Sequence, residues 1–338
     1  MSITKHMAHA VTVIAVGVSM FGLAGCSTAI KGASVVNTAA TNGPKVTEIV
    51  TVGYVSNGTG DAWSVANDAD IRKSFTKASG FELKYSPGVA SDQKSQIDAF
   101  GALVDDSVDV ILLSTPDATG WESALQRAKD AEIPVILIDG GIEPDDTSLY
   151  TTRITASNDE AAKAVANWSL STFPDGVKYF VLEGTSGVDT VTARNAGWDS
   201  VMAEHPEFVK LGAQAGGSSA EAATAATAAM LAANANDVQL IFAQDDEMGL
   251  GAAQAVADAG LTPGVNVKIA TIGGSKAALQ ALLEGRLSFV AEFNPLLGAT
   301  VAEVVNTLQG GATVDPLIVV PSHTFASITQ EELDARPY

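Results

Sequence analysis

The sequence has few of the residue types on which metalloproteins and many enzymes depend. Cys26 is the one cysteine in 338 residues, and His205 and His323 are the only histidines after residue 25. A disulfide, a cysteine-based metal site and a cysteine nucleophile are thereby excluded from the folded body. Neither histidine has a second histidine or a cysteine at metal-ligand spacing, so no metal is expected.

Phosphate-binding and hydrolase motifs are also missing. The sequence contains no Gly-x-x-x-x-Gly-Lys loop, and no Gly-x-Gly-x-x-Gly follows the first predicted strand. The stretch Gly184-Thr185-Ser186-Gly187 lacks the Gly-x-Ser-x-Gly spacing of a nucleophile elbow. We therefore expect a protein that is not an enzyme and uses no cofactor.

Aromatic residues make up only 6% of the chain, whereas hydrophobic residues reach 46% and charged residues 17%. This composition, without a long charge block, is typical of a globular protein whose core is mostly aliphatic. Without residues 1–25 the chain has 18 bases against 39 acids, a net charge of −21. Such a surface repels nucleic acid and anionic lipid, so no nucleic-acid partner is expected.

The first 25 residues have the pattern of a secretory signal peptide. Lys5 precedes an apolar run, Val11–Leu23, which is too short for a confident membrane span. The following Leu23-Ala24-Gly25-Cys26 resembles the lipobox of bacterial lipoproteins, in which the cysteine is lipidated and becomes the mature N-terminus. An ordinary signal peptide or a short uncut anchor is the alternative. Residues 26–45 are rich in small polar residues and are predicted to form a flexible tether.

After the tether, apolar β-branched runs alternate with amphipathic helices. The runs are nearly continuous in apolar residues, as expected for parallel strands covered on both faces. They are Ile49–Val55, Val108–Leu113, Val135–Ile138, Tyr179–Leu182, Val238–Phe242, Val267–Ile272, Phe289–Ala291 and Leu317–Val320. Three Ser/Thr-x-x-Glu capping boxes are predicted to start helices, at Thr119, Ser157 and Ser218. The alternation predicts an α/β fold.

A weak internal repeat suggests two similar α/β domains. Val108–Leu113 and Asp237–Phe242 have similar sequences, and each leads into a polar loop and a helix. Two such halves predict two doubly wound parallel-sheet domains. The Ala-rich stretch Ala220–Ala233 is predicted to be a helix packed closely through small residues, because Glu221 and two threonines interrupt it.

Polar and aromatic residues follow the ends of the predicted strands, where ligands bind in open α/β sheets. They are Asn57, Trp63, Ser114, Thr115, Asp117, Asp139, Thr185, Arg194 and Asp245. This mixture suits a sugar, because carboxylates and planar donors bind hydroxyls and aromatic faces cover the ring. The acidic cluster Gln244–Glu247 has two further interpretations: a carboxylate pair for acid–base chemistry or calcium, and an exposed helix start.

From about Val46 onward the chain resembles the type I periplasmic sugar-binding proteins of ABC importers, the ribose-binding class. The segments that carry the resemblance are Ile133–Asp139, Phe242–Ala252 and Glu292–Gly298. Thr119-Gly120-Trp121 and Asn294–Gly298 are most similar to the galactofuranose-binding and fructose-binding lipoprotein subgroup.

The resemblance implies roles for five residues. Trp63 corresponds to the aromatic that covers the sugar ring. Asp139 corresponds to a carboxylate that accepts from sugar hydroxyls, and Arg194 to an arginine that donates to sugar oxygens. Asp245 stands where ribose binders have Asn, and it accepts but does not donate unless protonated. Glu292 stands at a hinge position where the family has Gln or Glu.

Three positions depart from the family in our alignment, and each change removes bulk. Gly140 replaces an arginine, Gly273 an aspartate and Ser218 a phenylalanine. Losing the arginine and the carboxylate together avoids an unpaired buried charge. One hypothesis is a widened pocket for a furanose-containing disaccharide. The alternative is a monosaccharide pocket that other side chains, such as Glu143, Asp189 or Trp198, refill.

The resemblance implies a two-domain receptor with three crossings between the domains. We predict a signal peptide (1–25), a tether (26–45), an N-terminal domain (46–156 plus 293–320) and a C-terminal domain (157–292 plus 321–338). The ligand lies in the cleft, and hinge closure exposes a form that the permease recognises. A monomer is expected, lipid-anchored outside the membrane through Cys26, with ABC permease subunits as partners.

Three other functions are considered. A receptor of the same fold for a nucleoside or signalling molecule is the main alternative. A transcription regulator related to the lactose repressor shares the core, but the lipobox and the charge of −21 speak against it. The third function is a surface enzyme that acts on glycans, but the sequence contains no recognisable catalytic constellation.

Overall fold

The computed structural model describes residues 49–58, 60–88, 92–115, 117–186, 188–217 and 219–338. The predicted signal peptide, Cys26, the tether and Ser218 lie outside these residues. The strands are β1 (Val50–Val55), β2 (Phe81–Ser86), β3 (Val110–Leu113), β4 (Val135–Ile138), β5 (Thr152–Thr155), β6 (Val177–Glu183), β7 (Phe208–Ala215), β8 (Leu240–Ala243), β9 (Lys268–Gly273), β10 (Phe289–Glu292), β11 (Leu317–Val319) and β12 (Thr324–Phe325).

Among the described residues, ten α-helices lie between and after the strands. They are α1 (Ala62–Ser74), α2 (Gln93–Asp105), α3 (Glu122–Asp130), α4 (Asn158–Thr172), α5 (Asp189–Met202), α6 (Ala220–Ala233), α7 (Asp246–Asp258), α8 (Lys276–Leu283), α9 (Gly298–Gln309) and α10 (Gln330–Ala335). A short 3₁₀ helix spans Lys77–Ser79.

Two six-stranded sheets form the cores of two domains. The first has the order β11-β5-β4-β3-β1-β2, and the second has the order β12-β10-β9-β8-β6-β7. All pairs are parallel except β10 with β12. The two repeated segments of the sequence contain β3 and β8, which hold the same place in their sheets. The predicted fold class, two similar parallel-sheet α/β domains, is confirmed.

The eight apolar runs form β1, β3, β4, β6, β8, β9, β10 and β11. The central strands β3, β4 and β8 are buried at every residue, because helices cover both faces of each sheet. Strands β2, β5, β7 and β12 were not predicted from the sequence. These four strands carry polar residues or lie at sheet edges.

One of the three predicted capping boxes starts its helix as expected. Ser157 caps α4 by accepting a hydrogen bond from the Glu160 N–H at 3.1 Å. The prediction at Thr119 was wrong, since Trp121 precedes α3 and gives it no side-chain cap. Helix α6 spans the predicted Ala220–Ala233, but its cap is Ser219, one residue after the predicted Ser218.

The chain passes between the two sheets in three segments. Strand β5 belongs to the first sheet and β6 to the second, with α4 packed against β9 and β10. After β10 the chain returns to the first domain, where α9 packs on α1. The Gly298 N–H donates to Asp70 Oδ2 at 2.8 Å, and Asn67 Nδ2 donates to the Pro295 carbonyl at 2.8 Å. The third segment joins β11 to β12, and the domain limits through these segments stay a prediction.

Small residues allow α6 and α7 to pack closely, as predicted for the Ala-rich stretch. The Thr224 hydroxyl lies within hydrogen-bonding distance of the carbonyls of Ala220 and Gly251, at 2.8 and 3.1 Å. A Cβ at Gly251 would lie 2.8 Å from the Ala223 Cβ and would press on the Ala220 carbonyl oxygen. In the described part of the chain, no helix has both the length and the apolar character needed to cross a membrane.

Substituting Gly251 tests this packing. We expect Gly251→Ala to lower the free energy of unfolding by about 1–3 kcal/mol, because the added methyl group overpacks the α6–α7 contact. The matched control is Gly310→Ala at the end of α9, where a Cβ has no neighbour closer than 3.4 Å. Urea unfolding measures both variants, and a Gly251→Ala protein as stable as the control would contradict the packing.

Candidate functional site

The candidate residues lie at the carboxyl ends of strands from both sheets. Strands β1, β3 and β4 are neighbours in the first sheet, and β6, β8, β9 and β10 are neighbours in the second. Loops after parallel neighbours share one edge of a sheet, so the polar residues of each domain are collected at its cleft side. Helix α1 begins directly after the β1 loop and brings Trp63 into its first turn.

A buried guanidinium, that of Arg194, stands at the centre of the site. Arg194 lies in the middle of α5 and is only 9% exposed. Its Nε donates to Asn158 Oδ1 at 2.8 Å, and its Nη1 donates to the Gln244 carbonyl. Burial lowers the pKa of Arg194 to about 10, although the charges of Asp245 and Asp139 oppose this. The arginine therefore stays charged at neutral pH.

Asp139 approaches the arginine from the first domain. Its φ of 63° is left-handed, a conformation that aspartate adopts more readily than most residues. The Thr155 hydroxyl donates to its Oδ1 at 2.8 Å, and Arg153 Nε donates to its carbonyl at 2.6 Å. Burial raises the pKa of Asp139, against the opposing effects of Thr155, Arg153 and Arg194. A carboxylate in an unusual backbone position is a frequent feature of binding sites.

Asp245 approaches the same arginine from the second domain. It caps α7, accepting from the Met248 N–H at 2.7 Å through Oδ1. Burial raises its pKa, the Met248 N–H and Arg194 lower it, and the nearby carboxylates of Glu247 and Asp61 raise it further. Of the two interpretations of the acidic cluster, the helix start holds for Asp245, but the expected exposure was wrong, since Asp245 is half-buried and Asp246 is buried.

An aromatic wall completes the site. The rings of Trp63 and Phe293 lie 5.7 Å apart, and the Arg194 guanidinium lies 5.5 Å from the centre of the Phe293 ring. The Trp63 Nε1–H is buried and has no hydrogen-bond acceptor within the described residues. A donor of this kind beside an aromatic face is suited to an oxygen of a ligand.

Other predicted residues have local structural partners. The Ser114 hydroxyl is buried and directed at the Ile138 carbonyl, 3.4 Å away, while Thr115 donates to the Gly141 carbonyl at 3.0 Å. Asp117 is exposed and accepts from the N–H and hydroxyl of Thr119, which lower its pKa. Thr185 is exposed, and Asn57 is half-buried after β1.

The space beside two of the small residues is filled. A Cβ at Gly140 would lie 2.6 Å from Thr115 Oγ1, and a Cβ at Gly273 would lie 2.6 Å from Asp246 Oδ1. Thr115 and Asp246 therefore occupy the space beside these glycines. At these two positions the structure favours a monosaccharide pocket over a pocket widened for a disaccharide.

One of the three side chains expected to refill the pocket lies elsewhere. Trp198 is core, stacked on Phe242 at 4.7 Å, so the prediction was wrong for this residue. A bulky apolar ring in α5 gains more by packing on the sheet than by facing a cleft. Glu143 and Asp189 are exposed, and their place in the pocket stays a prediction.

Glu292 is not directed at the Arg194 cluster. It is 2% exposed, and its carboxylate bonds to His323, Arg336 and Tyr338. Both oxygens are thus bound within the protein. Its role as a ligand contact, implied by the resemblance, stays a prediction that this geometry does not favour.

Five residues of the site were not among the ligand-binding candidates of the sequence. They are Asp61, Asn158, Gln244, Asp246 and Phe293. Gln244 and Asp246 belong to the acidic cluster, and Asp61 and Asn158 had a local signal, since both lie at helix starts. Their place in the site depends on contacts between distant parts of the chain, which no local pattern reveals. Within the described residues, no cluster of three or more His, Cys, Asp and Glu has a metal-binding arrangement.

Comparison with known proteins identifies the family. The profile of the periplasmic binding protein domain matches residues 52–313. The chain belongs to the periplasmic binding protein family. Its family was therefore correctly predicted from the sequence, and the family implies an extracytoplasmic location.

Named relatives of this periplasmic binding protein are sugar receptors. The fructose import binding protein of Bifidobacterium longum is 38% identical over 98% of both chains. The galactofuranose-binding protein of Escherichia coli is 28% identical over 85% of this chain and 91% of its own. The arabinose ABC transporter component from a Shewanella species, solved with L-arabinofuranose, is 28% identical with a TM-score of 0.75, covering 85% of this chain and 94% of its own.

Asp246 makes the stability of the folded protein depend on pH. Its carboxylate is 9% exposed and accepts from the N–H groups of Gly274 and Ser275 at 2.9 and 2.8 Å. Burial raises its pKa to about 6, although these hydrogen bonds lower it. The folded protein therefore binds more protons here than the unfolded chain does between the ordinary pKa of 3.8 and about 6.

The stability that the Asp246 carboxyl contributes is fully present below its ordinary pKa and is lost as the pH rises through about 6. We expect the free energy of unfolding of the wild type to fall by about 2–3 kcal/mol, relative to Asp246→Asn, between pH 4 and pH 7. Urea unfolding of both proteins at four pH values measures the difference. All other titrating groups are shared, so a difference that stays constant with pH would contradict the shifted pKa.

Proposed function

We propose that this protein is the extracytoplasmic receptor of an ABC sugar importer and binds one monosaccharide in the cleft between its domains. The observation that carries the proposal is the buried Arg194, flanked by Asp139 from one domain and Asp245 from the other. A ligand that bonds to all three groups touches both domains at once and favours the closed arrangement.

The charge of the site supports a neutral polyol. Asp139, Asp245 and Asp246 lie around the buried Arg194, and the charge of Asp61 acts on Asp139 and Asp245. Carboxylates accept hydrogen bonds from hydroxyl groups, whereas an anionic ligand such as a sugar phosphate would be repelled by them. Trp63 and Phe293 add apolar surface for the C–H face of a ring.

The size of the site supports a monosaccharide over a disaccharide. Thr115 and Asp246 take up the space beside Gly140 and Gly273 that a second ring would need. Two of the named relatives are named for a furanose, galactofuranose or arabinofuranose, which supports a five-membered ring form, and the third is named for fructose. The nucleoside alternative is not favoured, because none of these relatives is named for a nucleoside.

The proposal includes delivery to a permease and no chemical change of the sugar. The relatives are named as binding proteins of importers, which supports capture and release as the whole activity. Domain closure would distinguish the loaded receptor from the empty one for the permease subunits.

Calorimetric titration of the purified protein tests the proposal. We expect one of fructose, galactose, arabinose and ribose to bind with a dissociation constant of about 1 µM, or about −8 kcal/mol. Fructose 6-phosphate, adenosine and furanose-containing disaccharides should bind at least about 100-fold more weakly, because each adds a charge or a bulk that the site does not accommodate. Tighter binding of a nucleoside or a disaccharide would refute the proposed ligand class.

The same titration tests the role of Arg194. Arg194→Ala should weaken sugar binding by at least about 100-fold, since it removes a charged donor and leaves two carboxylates facing each other. The matched control is Arg127→Ala, which removes an exposed arginine paired with Asp105 at 2.7 Å. Equal losses in the two variants would contradict a direct role for Arg194.

We also propose that Cys26, outside the described residues, carries a lipid anchor. Cys26→Ala should move the protein from the membrane fraction into the soluble fraction or the medium, because the lipid attaches to the cysteine sulfur. Ser27→Ala is the control and should stay with the membrane. Membrane retention of Cys26→Ala equal to the wild type would show that the anchor, if any, is not at this residue.

A further inference from the structure

A buried carboxylate, that of Glu292, ends β10 at the point where the chain leaves the second sheet. The side chain is 2% exposed. Its Oε2 accepts from the His323 N–H at 2.9 Å and lies 2.9 Å from the His323 ring Nδ1. Its Oε1 accepts from the Arg336 guanidinium and the Tyr338 hydroxyl. Four groups from three positions of the chain therefore bond to one carboxylate.

These bonds join two of the three segments that link the domains. The Glu292 N–H donates to the His323 carbonyl at 2.8 Å, and Asn294 Nδ2 donates to the Pro321 carbonyl at 2.9 Å. The segment after β10 and the segment between β11 and β12 are thus held side by side. A movement of one of them must carry the other with it.

Arg336 and Tyr338 hold the carboxylate from the side of the second domain. The Arg336 guanidinium lies 5.3 Å from the centre of the Phe325 ring and 4.6 Å from that of the Tyr338 ring. Burial raises the pKa of Glu292, but the hydrogen bonds from Tyr338, Arg336 and His323 outweigh it and leave the pKa below its ordinary value. The carboxylate stays ionised, and a buried ion of this kind keeps its partners in place.

The residue that follows Glu292 belongs to the binding site. Phe293 packs on Trp63 and lies under the Arg194 guanidinium. Its N–H donates to the Gly273 carbonyl at 2.8 Å, beside the Gly274 carbonyl that lies 3.5 Å from Arg336. The position of the aromatic wall therefore depends on where the Glu292 carboxylate is anchored.

We propose that Arg336 and Tyr338 are positioning residues for ligand binding, acting through Glu292 on the Phe293 ring and on the two linked crossing segments. This rests on the proposed function, in which Phe293 forms part of the sugar site. Within the described residues, neither Arg336 nor Tyr338 forms a hydrogen bond, ion pair or ring contact with Trp63, Phe293 or Arg194, so a direct contact with the sugar is not part of the proposal.

Tyr338→Phe is the central variant, because it removes one hydrogen bond to the carboxylate and leaves the ring. We expect about tenfold faster hydrogen exchange at the backbone N–H groups of Glu292 and Phe293, and about tenfold weaker sugar binding. The matched control is Tyr150→Phe, which removes a tyrosine–carboxylate hydrogen bond of 2.8 Å to Asp145 in the first domain. The control should change neither quantity.

Two further variants separate positioning from a general loss of stability. Arg336→Lys keeps the charge and should retain most of the affinity that Arg336→Ala loses. Tyr338→Phe made in a Glu292→Gln background should cost less than it does in the wild type, because the two residues act through one contact. The proposal would be overturned if the losses of sugar affinity in the two single variants simply added in the double variant. It would also be overturned if Tyr338→Phe lowered the unfolding midpoint but left hydrogen exchange and sugar affinity unchanged.

Hydrogen exchange is measured without a ligand, so the positioning role of Tyr338 can be tested separately from the proposed receptor function. If the wild type binds no sugar of the panel, the proposed receptor function fails, while exchange at Phe293 still decides whether Tyr338 positions this residue. If the wild type binds a sugar and Tyr338→Phe matches the Tyr150→Phe control in both measurements, the positioning role is refuted and the receptor function stands.

Discussion

A guanidinium buried between two domains is costly unless neighbouring groups balance its charge and bind its donors, and Arg194 occupies such a place. Its partners come from separate parts of the chain: Asn158 at the start of α4, the Gln244 carbonyl after β8, and Phe293 in a crossing segment. The carboxylates of Asp139 and Asp245 add their charges from the two domains. Moving any of these elements leaves the buried charge less well compensated.

This constraint links the fold to the domain closure proposed for ligand binding. Asp139 belongs to the first domain, whereas Arg194 and Asp245 belong to the second, so opening the cleft separates opposite charges. The raised pKa values of the two carboxylates reflect first their burial and then the excess of carboxylates over the arginine. In the proposed function, a ligand with several hydroxyl groups supplies the missing donors, and its binding energy favours the closed form over the open one.

Most of the fold was predictable because its central strands are apolar on both faces. The runs that became β3, β4 and β8 stand out in the sequence for that reason. Strand β2 alternates apolar and polar residues and β7 is an exposed edge, so both lack the signal of a buried parallel strand. Strand β12 spans two residues and exists only because β10 lies beside it.

The binding site was predictable only in part, for a different physical reason. Asp139, Arg194 and Trp63 each follow a recognisable pattern near a strand end or correspond to a family position, and the structure brings these three to one cleft. Phe293 and Asp246 owe their places to contacts between segments far apart in the sequence. The filling of the space beside Gly273 by Asp246 is of this kind, since the two residues are 27 positions apart and meet only when β8 and β9 pair.

Glu292 illustrates how one position can change its role while keeping its chemistry. At the end of β10 a carboxylate is close enough to the cleft to bind a ligand, as the family resemblance implies. Here His323, Arg336 and Tyr338 use both of its oxygens, and a carboxylate with four donors has little capacity left for a hydroxyl group. The charge is thus used at the junction between two crossing segments. In the proposed function, sugar specificity depends on groups with free hydrogen-bonding capacity, which are Asp139, Asp245, Arg194 and the Nε1–H of Trp63.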